Sequence, residues 1–239
     1  MSSSFIDSLT PEQVAGTIDH ALLRPDMTTE QVVAGCRLCA EYQTASVCVR
    51  PCDVALAASV LAGTAVQVGT VIGFPHGTTS TQAKVAESIQ ALDDGATELD
   101  MVLNIGRLKS GDLAYVQKDI HDVVQAAKRK LPTCCVKVIL ECSLLTDDEK
   151  VAACKAAQDA GADYVKTSTG FSTGGATVAD LKLMRGCTDP ERVHVKASGG
   201  IRTLDDLLAC LQASADRIGA SATAAIVDEM RARKAPDAA

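Results

Sequence analysis

The sequence predicts an α/β fold, a single (β/α)8 barrel. Eight short strand-like runs alternate with helical patterns along 239 residues, and about 250 residues is the usual length of such a barrel. Segments 93–102 and 159–168 both run from a helix end through a Gly-Ala turn into a strand, as expected of repeated units. No linker rich in Pro, Gly or Ser divides the chain. We therefore expect one domain over residues 1–239, with residues 1–16 as an N-terminal extension and residues 231–239 as a disordered tail.

Each predicted strand is a short run of apolar or β-branched residues between turn residues or helix ends. In chain order the strands are Thr17–Leu23, Ser46–Arg50, Val66–Gly73, Glu98–Asn104, Val136–Glu141, Tyr164–Ser168, His194–Ser198 and Arg217–Ser221. An open, doubly wound sheet is the alternative. It would more naturally have about five to seven strands and a GxGxxG signature after the first strand, which this sequence lacks.

Recognisable end signals mark the helices between the strands. Asp53 is expected to cap the helix in DVALAASVLA, and Thr146 with Glu149 matches a capping box at the start of a helix that Gly161 ends. Between residues 80 and 94, Val85, Ile89 and Leu92 recur at i, i+4 and i+7. This spacing predicts a helix packed on one side through that stripe.

Composition excludes several classes of function. The chain has 23 Lys and Arg against 30 Asp and Glu, a net charge of −7, so we expect no binding to nucleic acid or to an anionic membrane. The amino terminus has no basic leader followed by an apolar run, and no segment approaches the roughly 20 apolar residues that span a bilayer. We expect a cytoplasmic protein.

Ten cysteines raise the question of a zinc site or disulfides. Cys36 and Cys39 belong to a predicted helix and Cys48 to a predicted strand, and the pair Cys48 and Cys52 does not have the spacing of a zinc ribbon. We expect reduced thiols that act as small apolar residues, and no metal.

Three lysines interrupt predicted strands. Because side chains alternate along a strand, Lys137 shares a face with Glu141, Lys166 with Ser168, and Lys196 with Ser198. If these faces and that of Asp100 point into the barrel, three ammonium groups and two carboxylates meet at its carboxyl end. The alternative is that the lysines form satisfied core ion pairs, or face outward and extend to water.

A cluster of buried lysines favours imine chemistry. An ammonium that is partly desolvated and close to another ammonium loses its proton more easily. Lowering a lysine pKa from about 10.4 to about 7 costs about 4 to 5 kcal/mol. The neutral amine can attack an aldehyde or ketone, and Asp100 could then move protons. This reasoning does not choose between Lys166 and Lys196 as the nucleophile.

Glycines accompanied by hydroxyl groups follow the last three strands. They are Gly170, Gly174, Gly175, Gly199, Gly200 and Gly219. Backbone N–H groups in such loops bind phosphate, commonly near strands seven and eight of this fold. The alternative is a set of ordinary tight turns.

The motifs VKTSTGF, VKASGGIRT, ELDMVLNIG and VIGFPHG resemble those of the deoxyribose-phosphate aldolase family, over about residues 17–221. The resemblance implies a TIM barrel and a class I, Schiff-base reaction without metal or organic cofactor. It implies reversible cleavage of 2-deoxy-D-ribose 5-phosphate to acetaldehyde and D-glyceraldehyde 3-phosphate, in deoxyribonucleoside breakdown. The partners implied are these small molecules and, as in many barrel enzymes, a second copy in a homodimer.

The resemblance also assigns roles to residues. Lys166 corresponds to the imine-forming lysine, Lys196 to the neighbour that lowers its pKa, and Asp100 to the general acid and base. Residues expected near the substrate are Asp19, Cys48 and Lys137 at the sugar, and Gly170, Gly199, Gly200 and Ser221 at the phosphate.

Two departures from the family pattern concern the phosphate site and the tail. Some relatives have a lysine after STG and a second serine after GAS, where this chain has Phe171 and Ala222. Longer relatives end in a tyrosine, whereas this chain ends RARKAPDAA. A Schiff-base aldolase for another phosphorylated sugar, and a noncatalytic phosphosugar-binding protein, are the alternative functions.

Overall fold

Eight parallel strands close into a barrel in which each strand pairs with the next and the eighth pairs with the first. The computed structural model describes residues 8–235. The strands are β1 Ile18–Leu22, β2 Ser46–Val49, β3 Gln67–Ile72, β4 Glu98–Val102, β5 Cys135–Ile139, β6 Tyr164–Lys166, β7 His194–Ser198 and β8 Arg217–Ala220. All eight predicted strands are present, most with slightly different ends. The predicted (β/α)8 barrel is confirmed.

Helices connect the strands on the outside of the barrel. They are α1 Pro11–Ala15, α2 Thr29–Tyr42, α3 Val54–Val60, α4 Thr81–Asp93, α5 Ile105–Lys109, α6 Leu113–Lys130, α7 Asp147–Asp159, α8 Val178–Cys187, α9 Leu204–Gln212 and α10 Thr223–Lys234. Short 3-10 turns at Pro51–Asp53 and Cys142–Leu144 follow β2 and β5. No helix within residues 8–235 is long and apolar enough to cross a membrane.

The apolar core lies between the strands and the helices, while the inside of the barrel carries charge. Val136, Val138, Val165 and Val195 are fully buried members of the core. They alternate along β5, β6 and β7 with the three lysines, so the lysines occupy the opposite, inward face. The strand register pairs Lys166 with Lys196, and Asp100 with Lys137, as neighbours on adjacent strands. The two side chains of each pair therefore leave the strands at the same position along the barrel.

The predicted helix ends are correct in α7 and wrong in α3. Thr146 and Glu149 form both hydrogen bonds of a capping box, and Gly161 has the left-handed φ of +85° typical of a residue just beyond a helix end. Asp53 stands at the start of α3 but makes no side-chain cap hydrogen bond. Its carboxylate instead accepts a 2.6 Å hydrogen bond from Nε of Arg50.

Helix α4 has the predicted period but a different buried face. Its buried residues are Lys84, Ser88 and Ala91, whereas Ile89 of the predicted stripe is 38% exposed. Lys84 Nζ lies 2.6 Å from Asp119 Oδ2 and donates a 2.9 Å hydrogen bond to the carbonyl at the end of β4. The predicted stripe is therefore partly correct, because Val85 and Leu92 pack half-buried against the core. It missed the most buried face because it assumed that the core-facing positions are apolar, and here an ion pair occupies one of them.

Both ends of the described chain are helical. Before β1, α1 begins with a capping box at Thr10 and buries Val14 and Ala15. At the other end α10 continues to Lys234, so the predicted disorder is wrong for residues 231–234. Residues 236–239 and the first seven of the N-terminal extension lie outside the described residues.

The cysteines, all of which lie within the described residues, are free thiols. Cys36 and Cys39 are buried in α2, and Cys48 is buried in β2. No group of three or more His, Cys, Asp or Glu side chains in the described part of the chain is arranged to hold a metal ion. Cys36 and Cys39 pack in the apolar core as small residues.

Candidate active site

Asp100 is the centre of a buried ionic cluster inside the barrel. Its Oδ2 accepts hydrogen bonds of 2.8 Å from Nζ of Lys166 and 2.8 Å from Nζ of Lys196, and its Oδ1 accepts one of 2.9 Å from Nζ of Lys137. All four side chains are at most 3% exposed. The three lysines that interrupt the strands thus meet at one carboxylate, as the alternation along the strands predicted.

Burial and the neighbouring charges determine the protonation of Asp100. Burial favours the neutral acid, but the ammonium groups of Lys137, Lys166 and Lys196 outweigh it and hold the pKa of Asp100 well below its usual range. Asp100 is therefore a permanent carboxylate at neutral pH.

The two neighbouring lysines have opposite pKa shifts. Burial lowers the pKa of Lys166, and Lys196 adds to the effect while Asp100 opposes it. Burial also disfavours the Lys196 ammonium, but Asp100 and Asp19 outweigh burial and raise its pKa. Lys196 is therefore the cation and Lys166 the group that loses its proton more easily. These opposite directions favour Lys166 over Lys196 as the nucleophile, a choice that strand alternation left open.

A second layer of charged side chains lies below the lysines. Lys196 Nζ lies 2.6 Å from Asp19 Oδ2 as an ion pair without aligned hydrogen-bond geometry, and Lys137 Nζ donates a 2.5 Å hydrogen bond to Glu98 Oε2. Arg217 donates from Nε to Asp19 Oδ1 at 2.9 Å and contacts Glu98 at 3.2 Å. Asp19 and Lys137 therefore belong to the cluster, as predicted.

Sequence reasoning missed Glu98 and Arg217, and also Ser46, whose hydroxyl donates a 2.7 Å hydrogen bond to Asp19. Glu98 precedes Asp100 by two residues on β4, and Arg217 begins β8. Charged residues at inward positions of two predicted strands were the available signal.

Cys48 points into the same interior. It is 4% exposed, and burial, with Asp100 next in importance, raises the pKa of its thiol to about 11. Cys48 is therefore a neutral thiol at the edge of the cluster, close to the expected substrate position.

A cavity of about 640 Å³ opens at the carboxyl ends of β1, β7 and β8. It is lined by all four residues predicted at the phosphate, Gly170, Gly199, Gly200 and Ser221. Ser198, the next inward position after Lys196, also lines it. None of the three lysines lines this cavity, but Lys196 lies next to it, since its Cε would be 3.4 Å from a Cβ added to the cavity-lining Gly219.

Close backbone approach explains two of the glycines. Gly199 has a left-handed φ of +88°, and a Cβ added to Gly175 would lie 2.3 Å from the carbonyl oxygen of Gly199. The loops after β6 and β7 therefore meet backbone to backbone, which only glycine permits.

Glu141 is not in the ammonium cluster, contrary to the prediction of a second carboxylate there. Its left-handed φ of +59° ends the alternation of β5. Its carboxylate instead accepts hydrogen bonds from the hydroxyl and the backbone N–H of Thr169, a cavity-lining residue. Glu141 thus holds the loop that carries Gly170. The carboxylates paired with the lysines are those of Asp19, Glu98 and Asp100.

Of the two residues that depart from the family pattern at the phosphate site, Phe171 lies at this cavity and Ala222 directly follows Ser221, which lines it. Phe171 lines it, is 48% exposed and packs edge-on against Phe74 with ring centroids 5.2 Å apart. Ala222 stands at the start of α10 without a side-chain cap. Arg24 and Arg202, which sequence reasoning did not single out, bring positive charge to the cavity lining.

Comparisons with known proteins agree with this geometry. A family model described as DeoC/LacD family aldolase matches residues 14–227. A deoxyribose-phosphate aldolase of Bacillus mycoides is 54% identical over 90% of this chain and 94% of the relative, and one of Clostridium perfringens is 52% identical over 91% and 95%.

A solved structure shows the same architecture. The deoxyribose phosphate aldolase of Aeropyrum pernix, described as a unique tetramer, superposes with a TM-score of 0.88 at 32% identity, over 98% of this chain and all of the other. The family model and the relatives cover nearly the whole barrel, including every residue of the ionic cluster. The chain belongs to the DeoC/LacD family of aldolases, which are class I lyases.

Proposed function

We propose that the protein catalyses the reversible cleavage of 2-deoxy-D-ribose 5-phosphate to acetaldehyde and D-glyceraldehyde 3-phosphate through an imine on Lys166. The observation that carries the proposal is the pair of lysines on one oxygen of Asp100, of which Lys166 has the lowered pKa. The cavity above the pair has backbone and cationic groups suited to a phosphate.

The first half of the reaction uses Lys166 as nucleophile. Its neutral amine attacks C1 of the open-chain aldehyde, and loss of water leaves a protonated imine. Lys196, a cation with a raised pKa, is placed to donate a proton to the departing hydroxyl. Asp100 holds both nitrogens in position.

Carbon–carbon cleavage follows from the electron demand of the imine. The C3 hydroxyl gives up its proton, the C2–C3 bond breaks, and its electron pair forms an enamine and neutralises the imine nitrogen. Glyceraldehyde 3-phosphate leaves. Protonation at C2 and hydrolysis then release acetaldehyde and the free amine. Asp100 and Lys196 are the groups we assign to these proton transfers, with Cys48 at the edge of the site.

The phosphate subsite is assigned to Gly170, Gly199, Gly200 and Ser221. The two consecutive glycines after β7 both have a left-handed φ, which glycine adopts readily, and both line the cavity without a side chain between their backbone and a bound anion. Ser168 offers a further group near the loops, since its Oγ is buried without a hydrogen-bond partner within residues 8–235. A Cβ at Gly199 would lie 3.5 Å from the Cβ of Ser168.

The test is borohydride trapping with acetaldehyde, followed by peptide mass analysis. We expect a reduced two-carbon adduct on Lys166 in the parent protein and none in Lys166→Met. The matched control is Lys118→Met, which removes a lysine whose side chain is 72% exposed, and should label like the parent. An unlabelled Lys166 peptide in an active parent would exclude the assignment.

Substrate choice is tested separately by retro-aldol assays in the presence of EDTA. We expect cleavage of deoxyribose 5-phosphate to exceed cleavage of ketose phosphates. The opposite preference would assign the protein to another phosphorylated sugar. Binding that survives Lys166→Met, with no turnover by the parent, would indicate a noncatalytic phosphosugar-binding protein.

We also propose that the chain acts as a homodimer in the cytoplasm. Barrel enzymes commonly assemble, and free thiols are typical of a reducing compartment. Light scattering of the purified protein tests the dimer, with a tetramer, as described for the Aeropyrum pernix relative, as the competing result.

A further inference from the structure

In the described part of the barrel interior, basic side chains outnumber acidic side chains by one. Among the described residues, the ionic cluster joins four basic side chains to three acidic ones. The basic side chains are Lys137, Lys166, Lys196 and Arg217, and the acidic ones are Asp19, Glu98 and Asp100. An uncompensated buried charge is costly, so one basic group has reason to be neutral.

The contacts show which basic group lacks a carboxylate of its own. Lys137 contacts Glu98 and Asp100 at less than 3 Å, and Lys196 contacts Asp19 and Asp100 at similar distances. Arg217 contacts Asp19 and Glu98. Within residues 8–235, Lys166 forms an ion pair only with Asp100, through the same oxygen that Lys196 uses.

Arg217 differs from the lysines in that it keeps its charge. A guanidinium is not deprotonated in proteins, whereas a buried ammonium can lose its proton. At the end of the cluster away from the cavity, Arg217 is therefore a permanent cation on the two carboxylates that Lys166 does not reach. The basic group that is neutral therefore has to be a lysine.

We propose that Arg217 is a positioning residue that occupies Asp19 and Glu98 and thereby leaves Lys166 as the uncharged amine. The proposal rests on the proposed imine chemistry at Lys166. It adds one requirement to that chemistry: besides the pair of lysines, a permanent cation has to contact Asp19 and Glu98 on the side away from the cavity.

The other groups around these two side chains do not change the balance. Lys166 faces Cys48, whose thiol is neutral at pH 7 because burial raises its pKa to about 11. Arg217 faces Tyr164, and burial raises the pKa of that phenol to about 12. Glu141 is engaged by Thr169 outside the cluster.

Removing the charge of Arg217 therefore gives three cations and three carboxylates, so that Lys166 can keep its proton. The test is the pH dependence of imine formation with acetaldehyde, followed by borohydride trapping at early times. The acid limb of this profile is the pH range in which trapping falls because Lys166 becomes protonated. In Arg217→Gln we expect the acid limb of the profile to move up by about one pH unit, and trapping below the limb to fall about tenfold. A merely structural defect would lower trapping at every pH without moving the limb.

Charge-balanced variants make the test specific. Arg217→Lys keeps a cation and should leave the limb near the parent position. The double variant Glu98→Gln/Arg217→Gln restores the excess of one basic side chain and should return the acid limb to its position in the parent. Arg233→Gln is the matched control, because that exposed arginine pairs only with Asp205 and Glu229.

A second variant keeps the proposal falsifiable if Arg217→Gln does not fold. Glu98→Gln alone leaves two cations in excess, so its limb should move down. With folding verified by thermal melting, a limb that coincides with the parent in Arg217→Gln overturns the role of Arg217, and where Arg217→Gln does not fold, a limb that coincides with the parent in Glu98→Gln overturns it. A parent protein that forms no adduct at all overturns the proposed function instead.

Discussion

Replacing Lys196 by methionine tests the electrostatic origin of the reactive amine. The Nζ atoms of Lys166 and Lys196 both lie 2.8 Å from Asp100 Oδ2, so they are no more than twice that distance apart. At an effective dielectric constant of about 20, two unit charges at that separation repel by about 3 kcal/mol, or about two pKa units. Methionine removes this repulsion while keeping most of the side-chain volume.

The sign of the effect follows from which form of Lys166 reacts. Without the neighbouring ammonium, Asp100 stabilises the Lys166 ammonium alone, so the pKa of Lys166 rises. At pH values below the pKa of Lys166 the neutral fraction should fall about a hundredfold. In the borohydride assay we expect the acid limb of imine formation to move up by about two pH units.

The control variant and the result that would refute the prediction give different pH profiles from the one expected. Lys118→Met, on the exposed face of α6, should leave the profile unchanged. If Lys196→Met reacts more slowly but keeps its acid limb in place, Lys196 acts only as a proton donor, and the electrostatic reasoning is refuted.

Three further predictions concern the phosphate loops, a buried ion pair and a buried histidine. In Gly175→Ala the added Cβ would lie 2.3 Å from the carbonyl of Gly199. We expect a KM for deoxyribose 5-phosphate raised at least tenfold, with acetaldehyde trapping unchanged; equal loss in both assays would contradict a role confined to phosphate binding. Lys84→Met leaves the Asp119 carboxylate buried without its cation and should lower the free energy of unfolding in urea by about 3 to 5 kcal/mol, whereas a loss below 1 kcal/mol would show that the pair contributes little. Burial lowers the pKa of His20 to about 4, so the folded state resists its protonation and stability should fall as the pH drops from about 6.5 to about 4. In His20→Asn the urea midpoint should fall less steeply with falling pH than in the parent. The same slope in both proteins would exclude His20 as the source of this pH dependence.

Local patterns predicted the barrel and most of its reactive side chains. Alternation along β5 to β7 predicted which side chains share a face with Lys137, Lys166 and Lys196, because a strand turns successive side chains to opposite sides. The clustering of three lysines on consecutive strands favoured the inside of the barrel for those faces. The capping box at Thr146 and the glycine at 161 also depend only on residues a few positions away. Such signals are complete within a short stretch of chain.

Long-range contacts decided the protonation and the exact partners. The two lysines differ through carboxylates on other strands, with Asp100 and Lys196 separated by 96 residues and Asp19 and Arg217 by 198. The same dependence on distant residues explains the error at Glu141, whose carboxylate binds Thr169 on the loop after the next strand. By itself the sequence determined which side chains share a strand face, since that depends on strand period. Only the closed barrel decided that these faces point inward and that the pKa values of Lys166 and Lys196 shift in opposite directions, since a pKa depends on every charge within a few ångströms.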